Sequence, residues 1–216
     1  SVRVAISLAE KYDFVYATAG IHPNNVDMRD KESFAEIKRL AAHPRVRAIG
    51  EIGLDYYWDK VDPAEQKEGF AQQIAIANEL SLPFVIHSRD AAEDTYELLV
   101  ENKDLLKHGG LMHCYSYSPE MMTEFEKLGL SFSFGGTSTF KNAKKTQDCV
   151  QRVPGGCILS ETDCPYLTPV PYRGRRNESA YVAYVCEKVA EIKGVSAEEV
   201  ARITTANARR MFLPNE

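Results

Sequence analysis

Glu51, His87, His113 and Asp163 each close a short apolar run: Val46-Arg-Ala-Ile-Gly-Glu51, Pro83-Phe-Val-Ile-His87, Gly109-Gly-Leu-Met-His113 and Cys157-Ile-Leu-Ser-Glu-Thr-Asp163. A carboxylate at the end of a buried strand is costly unless a cation stands beside it. Neutral imidazole is the commonest metal donor. Taken singly, Glu51 has a buried salt bridge as its lesser alternative, and a lone histidine is more often a satisfied core residue than a ligand. The recurrence at separate strand ends moves the reading to metal ligation. Two imidazoles and two carboxylates make a mixed nitrogen and oxygen set suited to Zn²⁺, Mn²⁺ or Mg²⁺. Glu51 and Asp163 are the catalytic candidates, with Asp163 placed to accept a proton from an attacking water.

Other residues support this set. Glu161 and Asp163 share a face by the period of two, so Glu161 is expected to orient a ligand or pair with an arginine. His22, in Gly20-Ile-His-Pro23, also ends a strand and is placed behind the ligands in a supporting role. Asp55 lies further along its segment and reads as a solvated or helix-entry acid, and Asp90 as the cap of the next helix. Cys114 reads as core, because strand alternation turns it away from its neighbour's side. Arg89 is a candidate phosphate clamp through its planar fork, with an ion pair to Asp90 or Glu93 as the plainer reading. Arg173, with Arg175 and Arg176, sits in a Pro/Gly loop and reads as either substrate-binding or a solvated basic loop. Tyr56, Tyr57, Trp58 and Tyr115 are aromatic candidates for stacking a nucleobase, although packing at the rim suits most of them better.

These side chains need strands to carry them. Strands are expected at Phe14–Gly20, Val46–Gly53, Pro83–His87, Gly110–Tyr115, Leu130–Gly135 and Cys157–Asp163, apolar on both faces as covered parallel strands are. Helical patterns fall between them, near Ser33–Ala42, Ala64–Leu80, Ala91–Lys103, Pro119–Leu128 and Asn142–Arg152, with two more near Ser179–Lys193 and Ala197–Arg210. Asp62 and Ser196 are expected helix caps. Repeated βα units mean a parallel sheet. The absence of Gly-x-Gly-x-x-Gly argues against a dinucleotide fold, and ligands at nearly every strand end favour a closed (β/α)₈ barrel, a single domain over residues 1–216. The opening helix Val2–Lys11 should itself follow a strand, and a complete barrel needs ~250 residues. The first one to two βα units are therefore expected to lie outside these 216 residues.

A formal net charge of −5 excludes a protein that coats nucleic acid by bulk charge. An odd set of five cysteines without a Cys-x-x-Cys pair points to reduced thiols in the cytoplasm. No apolar run approaches the ~18 residues of a membrane span, so no membrane association is expected.

Five segments together resemble the successive signatures of the TatD family of metal-dependent deoxyribonucleases: Gly20-Ile-His-Pro23, Gly50-Glu-Ile-Gly-Leu-Asp-Tyr56, Val85-Ile-His-Ser-Arg-Asp90, His113-Cys-Tyr-Ser116 and Ser160-Glu-Thr-Asp-Cys-Pro-Tyr166. Pro171-Tyr-Arg-Gly-Arg-Arg-Asn177 and Thr205-Ala-Asn-Ala208 match as well. The resemblance implies a TIM barrel, two divalent ions, and hydrolysis of DNA phosphodiesters at single strands or 3′ ends, with no obligate protein partner. It also implies that Glu51 bridges the metals, that His87 and His113 hold one ion, and that Asp163 holds the other. The family's His-x-His pair of the first strand is not among these residues, and the proline expected after Gly135-Gly136 is replaced by Thr137. A metal-dependent hydrolase of ester or amide bonds, such as a D-aminoacyl-tRNA deacylase, would use the same activated water, since fold does not choose between them. A non-catalytic metal-binding remnant is the third reading.

Overall fold

The computed structural model describes residues 2–28 and 30–214. The chain divides into two compact units, residues 1–111 and 112–216. The first holds α1 (Val2–Lys11), β1 (Ala17–Ala19), α2 (Lys31–Ala41), β2 (Val46–Asp55), α3 (Pro63–Glu79), β3 (Phe84–Arg89) and α4 (Ala92–Glu101). Strand β4 (Gly110–Met112) lies where the chain passes from one unit to the next. The second holds α5 (Pro119–Lys127), β5 (Leu130–Phe134), α6 (Lys144–Arg152), β6 (Ile158–Ser160), α7 (Val182–Lys193) and α8 (Ala197–Phe212).

In the first unit β1, β2 and β3 run parallel in chain order, with Thr18 opposite Ala48, Gly53 opposite His87 and Asp55 opposite Arg89. Their side chains are apolar on both faces: Ile49, Ile52, Leu54, Phe84 and Ile86 are buried, as are Phe70 and Ile74 of α3 and Leu99 of α4. The guanidinium of Arg45 ties α1 to the start of β2, donating to the carbonyls of Ala9, Tyr12, Asp13 and Val15. Those are carbonyls at and just beyond a helix end, which lack partners inside the helix.

Helix α3 carries two buried glutamines. Gln66 accepts from the Asp55 N–H at 2.8 Å and donates to the Asp55 and Val61 carbonyls. Gln73 accepts from the Ile21 N–H at 2.7 Å and donates to the Ile21 and Gly69 carbonyls. Each amide is fully satisfied, which is what makes a buried glutamine tolerable.

In the second unit β5 and β6 are parallel, with Phe132 opposite Ile158 and Phe134 opposite Ser160. Phe125, Phe132, Phe134, Val185 and Val189 form its core. Asn207 of α8 donates to the carbonyls of Gly155 and Ile158, holding the entry to β6. The loop after β6 is pinned by buried Asn177, which donates to the carbonyls of Thr162 and Tyr166. Gly136 has a physical reason to be glycine, because a Cβ there would meet the Leu167 carbonyl oxygen at 1.9 Å.

All six expected strands form, with shifted ends. β2 runs on to Asp55 and β3 to Arg89, while β1 is confined to Ala17–Ala19, with Phe14 exposed before it. β4 stops at Met112, and Cys114 turns into the left-handed region at φ 45°. Asp62 and Ser196 cap α3 and α8 as expected. Asp90 does not cap α4: it sits at φ 53°, and Ala91 takes the cap position without a side-chain bond. No helix among the described residues is long and apolar enough to cross a membrane.

The β2–β3 pairing depends on Gly53, whose φ of 136° and approach to β3 would put a Cβ 2.0 Å from the His87 carbonyl oxygen. Gly53→Ala should lower unfolding free energy by roughly 3–5 kcal/mol, read as a drop in denaturation midpoint. An unchanged midpoint would mean that the strands do not pair in this register.

Candidate metal centre

Strand alternation puts Glu51, Gly53 and Asp55 on one face of β2. The parallel register sets His87 beside Gly53, between the two carboxylates. His87 Nε2 lies 2.9 Å from Asp55 Oδ2, and Nδ1 lies 3.8 Å from Glu51 Oε2. The carboxylates differ in setting, since the Asp55 side chain is 2% exposed and that of Glu51 38%.

Asp55 is held on both oxygens. Oδ1 accepts the backbone N–H groups of Tyr57 and Trp58, and Oδ2 accepts from Asn24 Nδ2 as well as facing His87. Burial pushes this carboxyl up, but the bonds from Trp58, His87 and Asn24 outweigh it and hold the group below its ordinary 3.8. With Asp55 held in its ionised form, the 2.9 Å contact puts a proton on His87 Nε2, and in the neutral imidazole that a metal requires Nδ1 is the acceptor turned toward Glu51. A carboxylate behind an imidazole fixes the tautomer in this way in metal sites. A gap of 3.8 Å is too long for a hydrogen bond. It fits donors sharing one ion, which at bond lengths of ~2.0–2.2 Å stand roughly 3–4 Å apart. His22 lies beside His87, with ring centroids 4.4 Å apart and planes tilted by 59°, and its Nδ1 accepts from the Asn24 N–H. Ligand atoms of His22, Asp55 and His87 all lie within 4.8 Å of one another, close enough to hold a cation.

The second unit repeats the arrangement. His113 Nδ1 lies 2.7 Å from Glu161 Oε2, and its Nε2 faces Asp163 Oδ1 at 3.5 Å. Glu161 is the more buried carboxylate, at 14% against 30% for Asp163. Its Oε2 also accepts from the Cys114 N–H and from Ser133 Oγ, while Oε1 is buried without a hydrogen-bond partner. Burial pushes the Glu161 carboxyl up, and His113, Ser133 and the Cys114 N–H more than offset it, so the net shift is downward. Cys114 and Asp163 take left-handed backbone conformations (φ 45° and 55°), strain of about 1–3 kcal/mol each that clusters at functional sites. Burial, and then the charges of Glu161 and Asp163, push the Cys114 thiol well above its usual range, so it stays protonated. A protonated thiol is a poor metal ligand.

The structure thus joins Glu51 to His87 in one unit, and His113 to Asp163 and Glu161 in the other. It corrects Asp55, expected in a loop and solvated: it ends β2 and is almost fully buried. The signal was present, because Asp55 follows Glu51 at an even spacing, the relation that singled out Glu161 beside Asp163. Nothing in the sequence announces Gln66, Asn24 or Ser133 as supports. Arg89 is exposed, with its guanidinium 3.7 Å from the Tyr57 ring centroid. Arg173 packs over Phe140 at 4.1 Å. Tyr56 and Tyr115 are committed elsewhere: Tyr56 donates to Asp94 and Tyr115, buried, to the Ser118 carbonyl.

Parallel strands ending in imidazoles, each set between a buried and a more open carboxylate, define the class as an α/β metal-dependent hydrolase. The chain belongs to the TatD family: the family model described as TatD related DNase matches residues 1–213. The metal-dependent hydrolase YabD of Bacillus subtilis, itself uncharacterized, is 50% identical over all of this chain and 84% of its own length. YcfH of Escherichia coli, described in the same words, is 41% identical over 95% of this chain and 76% of its own. Among solved structures, the TatD homologue YjjV of Escherichia coli matches with a TM-score of 0.90 at 29% identity, covering 97% of this chain and 81% of that one. The expected fold class, α/β of the TIM-barrel type, holds.

Asp55→Asn should weaken divalent-metal affinity by roughly 10–100-fold, measured by competition with a chelating dye. A group held below its ordinary value stabilises the fold above that value and loses the contribution as pH falls through its lowered one. Metal-free Asp55→Asn should accordingly show a flatter decline in melting temperature below about pH 4. Parallel wild-type and variant curves would remove Asp55 from this role.

Proposed function

We propose that the protein hydrolyses phosphodiester bonds of DNA, trimming single strands or 3′ ends, with divalent cations held by Glu51, His87, His113 and Asp163. The observation that carries the reading is the repeated module, an imidazole fixed by a buried carboxylate and turned toward a second carboxylate. The partnerless, buried Oε1 of Glu161 supports it, because a dry anionic oxygen favours a nearby cation. The donor set is nitrogen and carboxylate oxygen, with the adjacent thiol protonated, which suits Mg²⁺, Mn²⁺ or Zn²⁺. A bound divalent ion supplies Lewis-acid polarisation of the phosphoryl group and acidifies water.

The chain's own groups do the rest. Asp55 and Glu161 hold their imidazoles in one tautomer and one orientation, so no reorganisation is needed during turnover. Asp163, more exposed than Glu161, accepts the proton of the attacking water. Glu51 contributes the open carboxylate beside His87. Arg89 and Arg173 donate to phosphoryl oxygens, each held in position by an aromatic ring. The family description as DNase and these arginines favour DNA over an acyl ester. Five free cysteines support a reducing, cytoplasmic setting.

The test is release of 3′ nucleotides from labelled single-stranded DNA by the full-length protein with Mg²⁺, Mn²⁺ or Zn²⁺. Asp163→Asn should lower the rate by about 10²–10⁴-fold while the circular dichroism spectrum and melting temperature hold. Chelator should abolish activity and the added metal restore it. An undiminished rate in the variant would end the assignment of Asp163, and faster cleavage of aminoacyl-RNA than of DNA would replace the substrate.

A further inference from the structure

Beyond the imidazole, the first unit carries an exposed aromatic group, of which the hydrolytic reading uses only Tyr57, as the ring under Arg89. Tyr57 and Trp58 follow Asp55 directly and are 53% and 48% exposed. Their rings meet edge-on, with centroids 4.8 Å apart and planes at 88°. Arg89 stands over Tyr57 at 3.7 Å and 5.9 Å from the centroid of Trp58, and Lys60 lies 5.6 Å from the Trp58 ring. Single exposed aromatics are ordinary on protein surfaces. Two adjacent ones flanked by two cations are a different object.

Its attachment is what points to a ligand. Asp55 Oδ1 accepts the backbone N–H groups of both Tyr57 and Trp58, while Oδ2 faces His87. One buried carboxylate thus sets the imidazole and the start of the aromatic loop together. Arg89 follows His87 by the strand period of two, pairs with Asp55 in register, and so projects on the same face. The group is held in fixed relation to His87 by strand pairing and by Asp55, as a substrate-binding site must be.

We propose that Trp58, Tyr57 and Arg89 form a subsite for an unpaired nucleotide: the base stacks on the indole of Trp58 and the guanidinium of Arg89 bonds the adjoining phosphate. The chemistry is that of single-strand recognition, in which aromatic faces take bases of any sequence and cations follow the backbone. Tyr57 serves as the support that keeps the Arg89 fork flat and in place. A paired base has both faces stacked within the duplex and cannot seat there, so the subsite selects single strands or frayed ends. The inference rests on the reading of the protein as a nuclease of single strands and names the residues that would seat the unpaired base.

Trp58 is the single tryptophan among these 216 residues, so the emission that a Trp58→Phe variant loses reports the subsite. Metal-stripped full-length protein in chelator is titrated with a short oligothymidylate, with an abasic strand of equal length and with a blunt duplex. The oligothymidylate should quench the emission to saturation; the abasic strand and the duplex should not. By anisotropy of a labelled strand, Trp58→Ala should bind roughly tenfold more weakly, Trp58→Phe should recover most of the loss, and Arg89→Ala should reduce the salt dependence by about one counterion. Equal quenching by the abasic strand, or unaltered binding by Trp58→Ala, overturns the subsite. Because no turnover is involved, failure of DNA hydrolysis leaves the quenching result standing, and metal-dependent hydrolysis without base-dependent quenching sinks the subsite alone.

Discussion

An ionised carboxylate kept out of water beside an imidazole is the constraint around which the first unit is organised. Asp55 has almost no solvent, yet four donors converge on its two oxygens. Leaving such a group uncompensated would cost several kcal/mol. Much local sequence is accounted for by preventing that. Gly53 lets β3 come close enough for His87 to reach Asp55, Asn24 donates to the oxygen that His87 faces, the Tyr57 and Trp58 N–H groups close the other, and Gln66 holds the Asp55 backbone on α3. Both oxygens of the carboxylate are satisfied, which lets Asp55 stay buried on a strand whose neighbours Ile52 and Leu54 are buried too.

The second unit meets the same problem with different parts. Glu161 takes the place of Asp55, Ser133 and the Cys114 N–H supply the donors, and strained backbone at Cys114 and Asp163 brings the groups around His113. The ring nitrogens are exchanged: Nε2 faces the buried acid in His87 and Nδ1 does so in His113. The shared element is electrostatic, a dry acid fixing the proton so that the opposite nitrogen faces the wetter acid. Similar demands have been met by unrelated local geometry, which argues that the demand is functional.

Much of this was legible in the residues. Candidate ligands that end apolar runs stand out because a buried strand tolerates a charge only where something answers it, and Glu51, His87, His113 and Asp163 all carry that mark. Strand positions followed for the same reason, since parallel strands are apolar throughout. Their ends did not follow: β2 continues through Asp55 because an acid with enough donors can extend a strand, and propensity alone says otherwise. Asp90 shows the reverse failure, a good capping residue placed one position too early by a left-handed turn. Gln66, Gln73 and Ser133 lay beyond reading because their importance comes from backbone groups far along the chain, which no local pattern records.

The two buried glutamines of α3 make that helix a gauge block. Gln66 grips the segment that carries Asp55 and Gln73 the segment that carries His22, and seven residues of helix separate the grips by about 10.5 Å. The interval between the two loops is thereby counted in helical residues rather than left to loop packing. A single residue inserted between them would swing one amide by about 100° and release its loop. Lengthening α3 outside that interval would leave both grips untouched, so the helix can vary freely at its ends and scarcely at all in its middle.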